Sequence, residues 1–291
     1  MYQYQEHRYR IDRINSVSEY NAKKRAFLKT SAGQAFQQYK VEKIERLHGL
    51  DYYYVDADAL RGGQTKGDVD FTMGGHGYRY LYIPSHEIWI DIAYKNTRAD
   101  IPTRWHEYTE RPLMAQGIRY VDAHEIASNL ENVLLEGKYF VLPVGTYRES
   151  APGRCGPASL KIYMDFLRWP VQESYIAKKC KMRASDGTSP EDMINAARAL
   201  NFQAYEKQNY SVSEVTDLIK NGFPIIANHQ SEPTLGEGHY AVIIGYGKDD
   251  FIISDPSEDD GYIITPIEEF MAKWYELEDK TYRQGIILDV L

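Results

Sequence analysis

Residues 152–167, PGRCGPASLKIYMDFL, carry the argument from which the rest of the chain can be read. Cys155 is followed at once by Gly156-Pro157, and Ala158, Ile162, Tyr163 and Phe166 then continue its stripe at helical spacing. The pattern predicts a helix from about Gly156 to Leu167, ending before Trp169-Pro170, with the thiol at or just before its N-terminus. Unpaired backbone N–H groups at a helix start favour a thiolate, which is the nucleophilic form, and can also receive an oxyanion. A nucleophile of this kind needs a base. His239 opens the strand-like run GHYAVIIGYG, and Asp255 ends the next such run, DFIISDP, 16 residues later. That interval suits a hairpin in which the start of one strand lies beside the end of the next. Asp255 is then placed to orient the imidazole and support its charged form.

Together CGPASL, GHYAVIIGYG and the DP after the second run resemble the bacteriocin-processing peptidases of the papain-like clan, which cut after double-glycine leaders, and their stand-alone relatives. The resemblance covers about residues 139–291. It implies an α+β, papain-like fold with the cysteine helix against an antiparallel sheet. It carries the nucleophile to Cys155, the base to His239 and the orienting acid to Asp255. It also implies a glutamine six residues before the cysteine, donating to the oxyanion, where this chain has Glu149. An ionised glutamate only accepts hydrogen bonds; a protonated one donates, but burial must raise its pKa. Cys180, in IAKKCKM, reads as structural, and His229, in ANHQSEP, as a loop residue or a groove wall.

Working outward, 291 residues suggest two domains, divided near Gly137–Lys138. The expected division is a helical basic arm over 1–50, a small α+β domain over 51–137 and the peptidase-like domain over 138–291. Residues 17–48 read as one or two helices stopped by Gly49, YRYLYIP and EIWIDIAY as strands, and 121–137 as a helix with Asp122 at its N-cap and Gly137 as its stop. In the second half, helices are expected after TSPED, in NYSVSEVTDLIKNG and in ITPIEEFMAKWYE, with FPIIANH and RQGIILDV as further strands.

A hydrophobic fraction of 43% with 26% charged residues excludes a wholly disordered chain. No stretch approaches a membrane span, and the polar start MYQYQEHRYR does not read as a signal peptide. Two cysteines cannot build a disulfide framework, so a reducing, cytoplasmic setting is expected. The net charge is −8, yet the first fifty residues hold ten basic side chains against five acidic. Such a modest excess reads first as a solvated face packing on an acidic body, and argues against nucleic acid as the partner. There are 25 tyrosines against nine phenylalanines, which suits half-buried surfaces.

The first half holds a second constellation. In HEYTE, His106 and Glu110 stand four apart on one helical face with Glu107 between them, the spacing of two metal ligands around a general base. It resembles the zincin motif with the second histidine replaced by glutamate. The next helix presents His124 and Glu131, so the expected metal set is His106, Glu110 and His124 with Glu131 in reserve. A mixed imidazole and carboxylate set takes Zn, Mn or Fe. The alternative is a pair of packed helices whose histidines and glutamates bond one another, with Glu107 or Glu110 pairing Arg111. Asp68, Asp70 and His76 lie among glycines and read as a tight turn system.

The leading expectation is a cysteine peptidase-like hydrolase cleaving a peptide or isopeptide bond of a peptide or protein substrate, with no cofactor at the cysteine site. The alternatives are a papain-fold module that binds peptides with little or no turnover, a metal-dependent hydrolase working from the first half, and nucleic-acid attachment through the basic arm.

Overall fold

The structure, a computed structural model, describes residues 10–62, 71–182, 187–230, 238–258, 261–276 and 281–290. Asp68 and Asp70 of the sequence reading lie outside these residues. The chain is mixed α+β and divides into two compact units, Met1–Glu136 and Gly137–Leu291.

The first unit opens with α1 (Val17–Leu28), whose Ser16 side chain accepts the Glu19 N–H, and α2 (Ser31–Ala35), capped by Thr30. Here the sequence expectation fails. Residues after Tyr39 leave the helix and form β1 (Lys40–Leu47), which pairs antiparallel with β2 (Leu50–Val55). His48 and Gly49 both take positive φ, 50° and 76°, which is what a two-residue hairpin turn of the primed type requires. Gly49 therefore turns a hairpin and does not stop a helix. The end of the expected helical basic arm is correspondingly sheet: β1 is an edge of a four-stranded sheet shared with later chain.

That sheet continues through α3 (Ala57–Gly62), β3 (Gly74–His76) and β4 (Glu87–Asp91) in the order β1-β2-β4-β3, with β2 and β4 parallel. YRYLYIP, expected as a strand, is a loop. Its carbonyls are satisfied by the buried Lys24 ammonium group, which donates to Tyr80 O (2.6 Å), Leu81 O (3.2 Å) and Ile83 O (2.5 Å). The run alternates in sequence because its tyrosines fill the core: Tyr82 stacks on Phe36 at 4.1 Å and leans on Trp89. The tyrosine excess is thus partly core material in this unit, not half-buried surface.

Two long helices complete the unit, α4 (Asp100–Ala115) and α5 (Tyr120–Glu136), packed against each other. Every residue from Trp105 to Glu110 is buried, so the middle of α4 lies in the interior of the unit. Gly117 (φ 87°) ends it, its N–H bonding Met114 O while Ile118 N–H reaches back to Leu113 O. Asp122 does not cap α5, which begins two residues earlier; it pairs with Arg119.

The second unit begins with β5 (Phe140–Val141), α6 (Cys155–Phe166), α7 (Glu173–Lys179), α8 (Pro190–Ala199) and β6 (Phe202–Lys207). It continues with α9 (Val212–Lys220), β7 (Ile225–Gln230), β8 (Gly238–Tyr246), β9 (Asp250–Ser254), β10 (Tyr262–Pro266) and α10 (Ile267–Lys273). A short pair, β11 (Tyr275–Glu276) and β12 (Thr281–Tyr282), leads into β13 (Gln284–Val290). The caps are legible: Ser189 precedes Pro190 on α8, and Ser211 with Glu214 makes a reciprocal capping box on α9. The main sheet is antiparallel in the order β10-β9-β8-β7-β13-β6, and β5 adds to β8. Helix α6 packs on β8, where the buried Ser159 hydroxyl donates to Tyr240 O at 3.0 Å. That contact fixes the start of α6 beside the start of β8.

Candidate active site

In the second unit, three side chains meet where α6, β8 and the end of β9 converge. Cys155 is the first residue of α6 and is half-buried. No side chain caps that helix at Arg154, which leaves first-turn N–H groups for an incoming oxygen. His239 is the second residue of β8, and the β8–β9 register sets Val242 opposite Ser254, so Asp255 follows beside it.

His239 hydrogen-bonds both neighbours: its Nε2 lies 2.8 Å from Asp255 Oδ1, and its side chain bonds that of Cys155. Burial pulls the imidazole pKa down, but the bonds to Asp255 and Cys155 outweigh it and push the value up to about 10. Burial likewise works against ionised Asp255, yet His239 and Ser257 hold it down at about 2. Ser257 donates to the same Oδ1 twice, from its backbone N–H (2.8 Å) and its hydroxyl (2.7 Å). Spacing arguments did not find Ser257; the turn signal Asp-Pro-Ser could have.

Glu149 belongs to the same neighbourhood. Its backbone N–H bonds Pro256 O at 2.8 Å, and its carboxyl accepts the N–H of Arg154, next to Cys155. Oε2 is buried without a hydrogen-bond partner among the described residues. Burial raises the pKa of this carboxyl, against the opposing pull of His239. His229 pairs with His239 across the β7–β8 ladder, the rings edge-on at 5.3 Å. Its Nδ1 lies 2.9 Å from Gln230 O, Nε2 has no hydrogen-bond partner, and burial with the nearby His239 charge drops its pKa to about 4. It is a strand residue beside the site, not a loop histidine. Cys180 is buried elsewhere, its thiol pushed up to about 12.

In the first unit, α4 and α5 bring His106, Glu110 and His124 together. His106 Nε2 lies 3.0 Å from His124 Nδ1, and Glu110 Oε2 lies 2.8 Å from His124 Nδ1 and 3.4 Å from His106 Nε2. Glu131 Oε2 stands 2.8 Å from His106 Nδ1. His76, read in the sequence as part of a tight turn system, is the last residue of β3, and its Nε2 is 3.0 Å from Glu110 Oε1. Burial holds His76 below its usual value. Glu107 is fully buried and its carboxyl is raised well above the ordinary range by burial and by Glu110. Arg111, weighed as a partner of Glu107 or Glu110, donates to Ser85 O.

Residues 141–282 match the family model described as Peptidase_C39 like family, a span that takes in Cys155, Glu149, His239 and Asp255. Among solved structures, the chain is similar to the peptidase domain of Streptococcus ComA, a bifunctional ABC transporter involved in quorum sensing. That match has 20% identity and a TM-score of 0.42, over 50% of this chain and 97% of that one. It is similar also to a double glycine motif protease from an AMS/PCAT transporter in complex with the leader peptide (21%, TM-score 0.40, 52% and 94%). A third is the N-terminal peptidase C39 like domain of a toxin secretion ATP-binding protein from Vibrio parahaemolyticus (14%, TM-score 0.36, 47% and 97%). No curated protein matches. The family match leaves the first unit outside it, and the zincin resemblance of that unit gains no support. Among the described residues, no helix is long and apolar enough to cross a membrane.

Proposed function

We propose that the second unit is a cysteine peptidase-like hydrolase of papain-like architecture, acting on a peptide or isopeptide bond of a peptide or protein substrate. The observation that carries this is His239 lying between Cys155 and Asp255 and bonded to both. The family match over the same residues supports it.

In this reading His239, oriented by Asp255, takes the proton of the Cys155 thiol. Cys155 Sγ attacks the carbonyl carbon, and the oxyanion forms against the first-turn N–H groups of α6. His239 gives its proton to the leaving amine as the C–N bond breaks, leaving a thioester on Cys155. Water, deprotonated by His239, then attacks the thioester and releases the acid. Glu149 in its neutral form supplies a further O–H donor from Oε2. No cofactor is needed for these steps.

The test is hydrolysis of a peptide library by the full chain, followed by mass spectrometry. Cys155→Ser and His239→Ala should each lower the rate by at least about 10³-fold, and iodoacetamide should block the wild type with a single adduct at Cys155. Cleavage that survives both substitutions ends the proposal.

A further inference from the structure

We infer that His106, Glu110 and His124 of the first unit form a binding site for one divalent transition-metal ion. The inference stands on atom positions in that unit and is independent of the cysteine chemistry. Three lone-pair atoms, His106 Nε2, His124 Nδ1 and Glu110 Oε2, form a triangle with sides of 3.0, 2.8 and 3.4 Å. Metal–ligand bonds of about 2.0–2.2 Å in tetrahedral geometry place ligand atoms about 3.3–3.6 Å apart, so the triangle needs to open by less than about 1 Å on its shortest side.

Two of the three ligands, Glu110 and His106, also have an outer contact. Tyr78 N–H donates to His76 Nδ1 at 3.1 Å, which leaves the ring hydrogen on Nε2, where it points to Glu110 Oε1. Oε1 is thereby occupied and Oε2 is turned to the triangle. His106 Nδ1 lies 2.8 Å from Glu131 Oε2, which puts a carboxylate on the side of the ring away from the triangle. A carboxylate behind an imidazole and a donor behind a carboxylate are the outer contacts that orient metal ligands. Without an ion, two imidazole nitrogens and a carboxylate oxygen must share at most two hydrogens among three mutual contacts; a cation satisfies all three. The triangle lines a pocket of about 250 Å³ with Glu107 and Tyr120, open enough that the His124 side chain is 45% exposed, so an ion can enter and keep a solvent or ligand position. Arg79, also on the pocket wall, pairs with Asp12 and stacks on Tyr120.

The experiment is titration of the full chain, stripped with a chelator, with Zn²⁺ by calorimetry, and with Co²⁺ by visible absorption. Expected is one ion per chain, imidazole-type Co²⁺ bands, and a loss of affinity of about 10²-fold or more in His124→Ala and Glu110→Gln. Glu131→Gln should cost about 10- to 100-fold. Glu131→Gln keeps the side-chain volume and so separates loss of a ligand's support from loss of fold, which circular dichroism checks. His229, His239 and Asp255 also cluster in the second unit. An ion lost in His239→Ala but retained in His124→Ala would overturn the inference, as would the absence of any stoichiometric binding, which would leave the cluster as a protonated hydrogen-bond network.

Discussion

At Glu149 a carboxyl stands where the family resemblance implies an amide, and the surroundings decide how much that matters. An ionised carboxylate repels a developing oxyanion; a neutral acid donates to it. Burial raises this carboxyl, which favours the neutral form. The neutral form predominates below the raised pKa, so activity that depends on it falls as pH rises through that value. Glu149→Gln is neutral at every pH. Its rate should match or exceed wild type, with a gain that grows toward alkaline pH and is bounded by the roughly 10²–10³-fold worth of one oxyanion donor. Superimposable pH–rate profiles for the two proteins would remove Glu149 from the chemistry. Cys155, His239 and Asp255 are readable in the sequence because each sits at the end of a regular element, where spacing translates into position. His76 is not: it lies 34 residues before Glu110 in a glycine-rich stretch that reads as a turn, and only the β3–β4 pairing brings it against α4.

Helices with polar caps are legible because the cap and the apolar stripe are local, as in α8 and α9. Elements defined by distant partners are less so. KVEKIERL at β1 has the composition of a surface helix and becomes a strand because Leu50–Val55 offers it a ladder after a tight turn. YRYLYIP has the texture of a strand and becomes a loop because Lys24, more than fifty residues earlier, supplies the hydrogen bonds that a neighbouring strand would. Lys24→Met keeps the apolar stem and removes the donors. It should cost on the order of 3 kcal/mol in urea unfolding of the first unit, since buried carbonyls lose their partners. Hydrogen exchange would show the loss spreading from residues 80–83; unchanged protection there would refute the role given to the lysine.

At the scale of the molecule, the ionic pair at the site ties the second unit's stability to pH. Asp255, at about 2 when folded, lies below its unfolded value of about 3.9, so its contribution is present above that pH and fades as pH falls toward 2. His239, at about 10 when folded, lies above its unfolded value of about 6.5, so its contribution is full below 6.5 and is lost as pH rises toward 10. The pair therefore stabilises most between about pH 4 and 6.5. Thermal unfolding of wild type against Asp255→Asn should show the largest gap in that window and convergence on both sides; a gap that is flat across pH would contradict the assignment. Composition excluded a disordered chain, but it did not foretell that Lys40–Leu47 would be woven into a sheet.

The hairpin edge formed by β1 has a consequence for the company this protein keeps. Lys40 reaches Glu87, Lys43 and Arg46 reach Asp51, Glu42 receives Lys95 and Glu45 receives Arg104. A border strand so thickly charged, with its charges already matched at home, is a poor template for a stray extended chain. For a protein whose other half is proposed to cleave peptides such a guard has a use, since an extended chain is the form best able to zip onto an open ladder.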